Sequence, residues 1–295
     1  MSRNWTGNGG KEGEVELGAT SSKRVDLCGV GLGLKEAHLP EVLAALPDVD
    51  WFELLIDNYL GASDGLIRSL LTLRADCPLS FHGVGMSLGS TDSLDYAYLS
   101  RIKRLAEILE PALISEHLAW SSIDGEHLHS LLPVPFSKEA LAHLALRIHA
   151  VQEYLGRSIL VENVSSYILA PGSEFSEEDF LLELSANSGC GILLDLSNLY
   201  LNSVNHKFDP RNFLHKLSES NVCEFHLGGF VERAGCLLDT HSTEVALPVW
   251  ELFRDALKMI GFKPTLIEWD NELPAFGTLL QETLKAKALI EFACR

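Results

Sequence analysis

Positive charge is scarce in this chain. Lys and Arg number 23 against 41 Asp and Glu, a formal net charge of −18 over 295 residues. A field of that sign repels phosphate backbones and excludes a broad duplex-binding surface. No Lys/Arg stripe offsets it near the candidate site residues below, so no nucleic-acid partner is expected. A small substrate stays open, because bound metal would supply local positive charge.

Long apolar runs are also missing. None reaches the roughly 18 residues that a spanning helix needs. Residues 1–25 are polar and glycine-containing, without the apolar stretch of a signal peptide, and read as a flexible tail. No membrane association and a cytoplasmic location are therefore expected. The six cysteines (Cys28, Cys77, Cys190, Cys223, Cys236 and Cys294) are scattered, and no CxxC occurs. That pattern excludes a disulfide framework and reads as reduced structural thiols. Internal repeats are absent.

What is present is core material. The chain is 46% hydrophobic and 22% charged, ordinary for a globular protein. Its length suits an α/β barrel. Eight short apolar stretches read as strands: Leu27–Leu32, Trp51–Leu55, Leu79–Phe81, Leu113–Ser115, Ile159–Val161, Gly191–Leu194, Val222–Phe225 and Thr265–Ile267. They are near-continuous rather than alternating, as expected of parallel strands covered on both faces. Amphipathic helices are expected at Leu94–Leu109, Lys138–Tyr154, Glu177–Ala186, Pro248–Ile260 and Phe276–Phe292. Ser137 suits an N-cap, and Ser176 with Asp179 forms a better capping box. Strands alternating with helices over 26–295 predict one (β/α)8 TIM barrel; a doubly wound open sheet is the structural alternative.

Barrel chemistry sits at the C-terminal ends of strands. Nine metal-binding residue types fall there or just beyond: His82, His117, Glu162, Asp195, Asn198, His226, Asp239, His241 and Glu268. One such residue is readily a hydrogen-bonded polar group closing a barrel layer. Nine are harder to explain that way. Carboxylates about 4 Å apart repel by on the order of 4 kcal/mol per pair at an effective dielectric near 20, and cations resolve the conflict. Nine ligands exceed one coordination shell, so more than one ion is expected. Imidazole with carboxylate suits Fe, Mn or Zn, and no cysteine falls in the pattern, which disfavours a thiolate zinc site. Asp239 and His241, two apart, would share one side of an extended segment.

Other residues have plainer readings. Gly29, Gly31 and Gly33 look like a phosphate loop, but Leu34 breaks the pattern and packing at a barrel mouth explains them better. His127, His129, His143, His149 and His215 read as surface or packing residues in loops or helices. His206 reads as a loop histidine. Glu53 and Asn58 are candidates to hydrogen-bond the ligands. Glu116 points away from the mouth by strand alternation. Trp51, Trp120 and Trp269 read as core or pocket wall.

The segments GVGLGLKEAH (29–38), SFHGVGMSLGS (80–90), SEHLAW (115–120), LLPVPFS (131–137), VENVSSY (161–167), CGILLDLSNLYLNSVNH (190–206), EFHLGGF (224–230), DTH (239–241) and PTLIEWD (264–270) resemble the multinuclear non-heme iron-dependent oxidative enzymes. The resemblance spans roughly residues 26–293. It extends to the wider superfamily of xylose isomerases and endonuclease IV, which implies a xylose isomerase-like barrel. By matched position it implies one iron on Glu162, Asp195, His226 and Glu268. A second would take His82, His117 and the bridging Glu162. A third would take Asn198, Asp239 and His241. It implies two or three irons of mixed Fe(II)/Fe(III) valence, O2 as cosubstrate, and oxidation at the β-carbon of a cysteine in a ribosomally made precursor peptide. A small leader-binding partner protein goes with it. Asp270 is the candidate acid or base. The chain departs from the family at Gly228–Gly229–Phe230, where Ala-Gly-His is common, and at Asp57, where glutamate is usual. Competing readings are a Zn or Mn phosphoesterase, a sugar isomerase, and a metal-storing or partner-binding barrel without activity.

Overall fold

A computed structural model describes residues 27–217 and 222–293 of the chain. The tail read at residues 1–25, and Cys294, lie outside them.

Eight strands close into one barrel, every neighbouring pair parallel. They are β1 (Val30–Gly33), β2 (Trp51–Leu55), β3 (Leu79–Gly83), β4 (Ile114–His117), β7 (Leu160–Glu162), β8 (Gly191–Asp195), β9 (Val222–Gly228) and β12 (Thr265–Glu268). The expected (β/α)8 architecture is the one observed, and the open-sheet alternative is excluded by the β1–β2 closure. All eight expected strands form, most running a residue or two beyond the apolar run. The extra residues are the polar ones at the mouth, which the barrel hydrogen bonds capture although their side chains carry no strand signal.

Two antiparallel hairpins were not expected. One joins β5 (Ala119–Ile123) to β6 (Glu126–Pro133), the other β10 (Phe230–Arg233) to β11 (Cys236–Asp239). His127 and His129 therefore lie in a strand, not in a loop or helix. Their alternation is too mixed to mark a strand. The five expected helices form as α3 (Tyr96–Leu109), α4 (Lys138–Leu155), α5 (Glu177–Ser188), α8 (Leu247–Met259) and α9 (Phe276–Ala293). Ser137 caps α4 by accepting from Ala140 N, and Ser176 caps α5 by accepting from Asp179 N. Four more helices complete the described shell: α1 (Leu39–Ala45), α2 (Asp64–Asp76), α6 (Leu196–His206) and α7 (Pro210–Lys216). His206 is thus the last residue of α6, where a loop was expected.

Strand alternation divides the residues into two sets. Phe52, Leu54, Phe81, Val161, Ile192, Leu194, Phe225, Leu227 and Ile267 belong to the large apolar cluster that packs the sheet against the helices. The other set points into the barrel and is layered. At the bottom, Trp51 and Leu266 pack with Leu27 in a separate apolar plug. Gly31 lies within β1, and a Cβ there would stand 2.3 Å from the Trp51 ring, so the glycine is a packing requirement. Above the plug comes a buried polar layer of Glu53, Ser80, Ser115 and Glu224. The top layer is His82, His117, Glu162, Asp195, His226 and Glu268.

Candidate metal centre

The top layer is drawn from six of the eight barrel strands. His82 and His117, on β3 and β4, aim their Nε2 atoms at one oxygen, Glu162 Oε2, each at 3.2 Å. Their other nitrogens are held: His82 Nδ1 meets Ser115 Oγ at 2.7 Å, and His117 Nδ1 meets the Gly83 carbonyl at 3.0 Å. Both rings are thereby fixed before any ligand arrives. Glu162 then passes on to a second group. Ligand atoms of Glu162, Asp195, His226 and Glu268, all buried, lie within 4.8 Å of one another. His226 Nδ1 stands 3.2 Å from Glu268 Oε2 and 3.9 Å from Glu162 Oε1.

Asp195 serves two structures at once. One oxygen accepts from Asn198 N at 2.6 Å and caps α6. The other is buried without a hydrogen-bond partner. Asn163 pins the Asp195 backbone reciprocally, through Asp195 N at 2.8 Å and Asp195 O at 2.9 Å.

Of the remaining candidates, Asp239 ends the second hairpin, His241 follows it, and Asn198 sits on α6. His241 Nε2 is 3.0 Å from Asp239 Oδ1, and its Nδ1 is 3.5 Å from both Glu268 Oε1 and Asp270 Oδ2. The route differs from the extended segment expected. His241 has φ +43°, a left-handed conformation rare for a side chain with a Cβ. It is clamped there: its N–H donates to Gly229 O, and its carbonyl accepts from Asp270 N and Asn271 N. Gly228 makes room, since a Cβ there would fall 2.3 Å from the His241 ring. So the departure at 228 has a physical counterpart in the seat of His241. Phe230 pairs across the hairpin with Asp239 and packs on Tyr200 with ring centroids 5.6 Å apart. Asn198 Oδ1 is buried and unpartnered. With His82, His117, Glu162, Asp239, His241, Glu268 and Asp270, Asn198 lines one cavity of about 150 Å³.

The charges conflict as a crowded carboxylate–imidazole site should. Burial pushes Glu162 up to about 8, against the pull of His117 and His226, and pushes Asp195 up to about 7. Burial, then the neighbouring imidazoles of His117 and His226, hold His82 well below the usual imidazole range. Burial works against protonation of His117 too, but Glu162 and Glu116 outweigh it and raise His117 to about 9. For Glu268 burial favours the neutral acid, yet His241 and His226 override it and hold it well below the usual carboxylate range.

Several supporting groups were not singled out from the sequence. Lys35, in the segment after β1, forms an ion pair with Asp270 Oδ1. Ser115, Asn163 and Glu224 are the others. Only their strand-end positions marked them, and alternation from the ligands would have found Ser115 and Glu224. Glu116 faces outward as expected, accepting from Met86 N and from His117 N, both at 2.9 Å. Asp57 fixes the turn after β3 by accepting from Val84 N at 3.0 Å and from the Tyr98 hydroxyl at 2.8 Å. Glu53 lies inside the barrel, with Ser80 Oγ donating to it at 3.0 Å. His206 meets Ser166 and lines a larger neighbouring groove, not the cavity that holds the candidate ligands. Among the described residues the five cysteines are free, and none joins a ligand group. No described helix is long and apolar enough to cross a membrane.

A closed parallel barrel with buried His/Glu/Asp groups at its mouth is a TIM barrel carrying a candidate metal centre. Solved structures agree on the fold. A D-psicose 3-epimerase with D-fructose matches at TM-score 0.59 and 14% identity, over 90% of this chain and 98% of that one. Endonuclease IV from Thermus thermophilus matches at 0.58 and 16%, over 90% and 99%. A xylose isomerase-like TIM barrel protein from Mycobacterium smegmatis, solved in complex with magnesium, matches at 0.58 and 13%, over 88% and 89%.

Sequence relatives narrow the assignment. Residues 29–291 match the family described as RiPP precursor modification enzyme MbnB/TglH/ChrH, and the chain belongs to that family. A UPF0276 protein from Anaeromyxobacter sp. (strain Fw109-5) is 44% identical over 260 residues, 88% of this chain and 92% of that protein. Another from Acaryochloris marina is 42% identical over 258 residues, 88% and 93% of the two chains. The family expected from the motifs is the family found.

Proposed function

We propose that this enzyme is a multinuclear non-heme iron oxidase that uses O2 to modify a cysteine of a ribosomally made precursor peptide. One observation carries the metal part. Asp195 Oδ2 and Asn198 Oδ1 are buried at the barrel mouth without hydrogen-bond partners, and Glu162 Oε2 and His241 Nε2 meet their close neighbours only outside hydrogen-bond geometry. Buried polar atoms are normally partnered, and such a set of carboxylate, amide and imidazole donors fits cations. The donors are imidazole, carboxylate and amide, without thiolate, which suits iron.

Glu162, Asp195, His226 and Glu268 would hold one ion, and His82, His117 and Glu162 a second. Asn198, Asp239 and His241 would hold a third. Iron bound there would supply the redox capacity to use O2 and a Lewis-acid seat for the peptide thiolate. The chain's own residues orient and exclude. The His82 and His117 rings are locked by Ser115 and Gly83. Asp270 Oδ2, with its partner oxygen held by Lys35, is the atom proposed to take the proton of an incoming thiol.

The family's substrate class is a peptide, and a seat for one adjoins the cavity. A groove of about 670 Å³ is lined by Val134, Phe136, Phe208 and the loop residues Ile168 and Leu169, and shares the Val164 wall with the metal cavity. Ile168 is 66% and Leu169 73% exposed, apolar surface suited to an extended peptide. A small leader-presenting partner belongs to the same reading.

The test is elemental analysis after expression in iron-replete medium, then O2 consumption with the cysteine-containing peptide encoded beside the gene. Two or three irons per chain and peptide-dependent O2 uptake are expected. Zinc alone, with no visible absorption after iron reconstitution, would overturn the oxidase in favour of a zinc hydrolase.

A further inference from the structure

His226 presents two edges. Its Nδ1 faces the ligand carboxylates. Its Nε2 faces down into the barrel, where Glu224 Oε1 lies 3.5 Å away and Glu53 Oε2 3.7 Å. Glu224 precedes His226 by two residues on β9, so both side chains point inward. Glu53 comes from β2, three strands from β9 around the sheet, with β1 and β12 between. Relative exposure is 0% for Glu224 and His226 and 4% for Glu53. Ser80 anchors Glu53. Glu224 has no such anchor: both its oxygens, and His226 Nε2, are buried without a hydrogen-bond partner. A carboxylate left so in a barrel interior is strongly disfavoured unless a donor or a cation answers it.

We infer that Glu224, supported by Glu53, is a positioning residue that accepts a hydrogen bond from His226 Nε2–H and so commits Nδ1 to the metal. A ligating histidine commonly donates its second ring N–H to a carboxylate, which fixes its tautomer and strengthens it as a donor. An approach of about half an ångström brings the 3.5 Å separation into the ordinary range. The inference rests on the metal reading given under Proposed function. The competing occupant is a further cation held by Glu53, Glu224 and His226, whose ligand atoms lie within 4.8 Å of one another.

The experiment is an anaerobic titration of the metal-free full chain with Co(II), by absorption and competition, in wild type, Glu224→Gln, Glu224→Ala and Glu53→Gln. Circular dichroism and thermal unfolding check the fold. Expected are unchanged stoichiometry, an affinity loss of about 10–100-fold at the His226 site for both Glu224 variants, a smaller loss for Glu53→Gln, and altered cobalt ligand-field bands. Glu224 variants within twofold of wild type, with the same bands, overturn the inference. So does a stoichiometry lower by one with the remaining sites unchanged, which would make the pocket a cation site. If wild type takes up no metal, the metal reading itself fails. The contact is then judged alone, from the 15N shifts of His226 in the metal-free chain. A protonated Nε2 that changes tautomer in Glu224→Ala supports it; identical shifts in wild type and variant overturn it. Where a Glu224 variant does not fold, Glu53→Gln carries the same comparison.

Discussion

The two corners of the candidate centre are built differently. His82, His117 and Glu162 stand on adjacent barrel strands, and each histidine has its far nitrogen held by a neighbour. Asp239 and His241 hang from a hairpin, with His241 in a strained left-handed conformation and Asp239 23% exposed. Strand-held ligands are placed by the barrel hydrogen bonds themselves. Hairpin-held ligands depend on a clamp of backbone contacts and on the absence of a side chain at Gly228. The strand corner should therefore bind tightly in a fixed geometry, and the hairpin corner should hold its ion more weakly and release it first.

The sharpest break of that contrast is Glu162→Ala. Glu162 belongs to both strand-held groups. Its removal should lower metal content by two ions per chain by elemental analysis and abolish activity. Full retention of metal would refute the bridging assignment.

Gly228→Ala tests the hairpin corner alone. The added Cβ displaces the His241 ring, so one ion should be lost or weakened by at least about tenfold while the strand-held pair stays. Loss of all ions together would show that the corners are not independent.

Proton competition gives a pH test. Glu162 and His117 are raised together, and the proton that this buried pair holds must leave when a cation binds. Both values are raised, so the protonated, metal-free form is favoured as pH falls. Affinity at the strand corner should climb by about tenfold per pH unit for each proton displaced between pH 6 and 8. A flat profile in metal titrations at these pH values would contradict it.

The smallest expected effect is that of Lys35→Met, which leaves Asp270 without its cationic partner. The pair is only partly buried, with side-chain exposures of 15% and 29%. A stability loss of no more than about 1 kcal/mol is expected in chemical denaturation. A few-fold rise in KM for the peptide, at unchanged metal content, would mark Lys35 as an organiser of the cavity rim.

The eight apolar runs announced the barrel strands because parallel strands covered on both faces are apolar along most of their length. The hairpins were not legible. Glu126–Pro133 mixes exposed charged and half-buried residues, and Phe230–Asp239 is interrupted by a turn at Ala234–Gly235. Helix α6 hid behind Asp195, a strand-end ligand that is also a helix cap. Seven candidate ligands were readable as barrel-strand ends or first turns, whereas Asp239 and His241 reach the mouth by a hairpin and a left-handed turn that no periodicity announces.

The sequence by itself determined the number of barrel strands, the residue types at each of their ends, and through its motifs the family. Those are local properties, carried by hydrophobic runs and by the residues that follow them. Tertiary structure alone decided which candidates stand close enough to share an ion. It also decided that Glu224 and Glu53 meet beneath His226, and that Gly228 gives His241 its place. These depend on side chains distant in sequence meeting inside a closed barrel. Only closure of the sheet brings β2 within reach of β9.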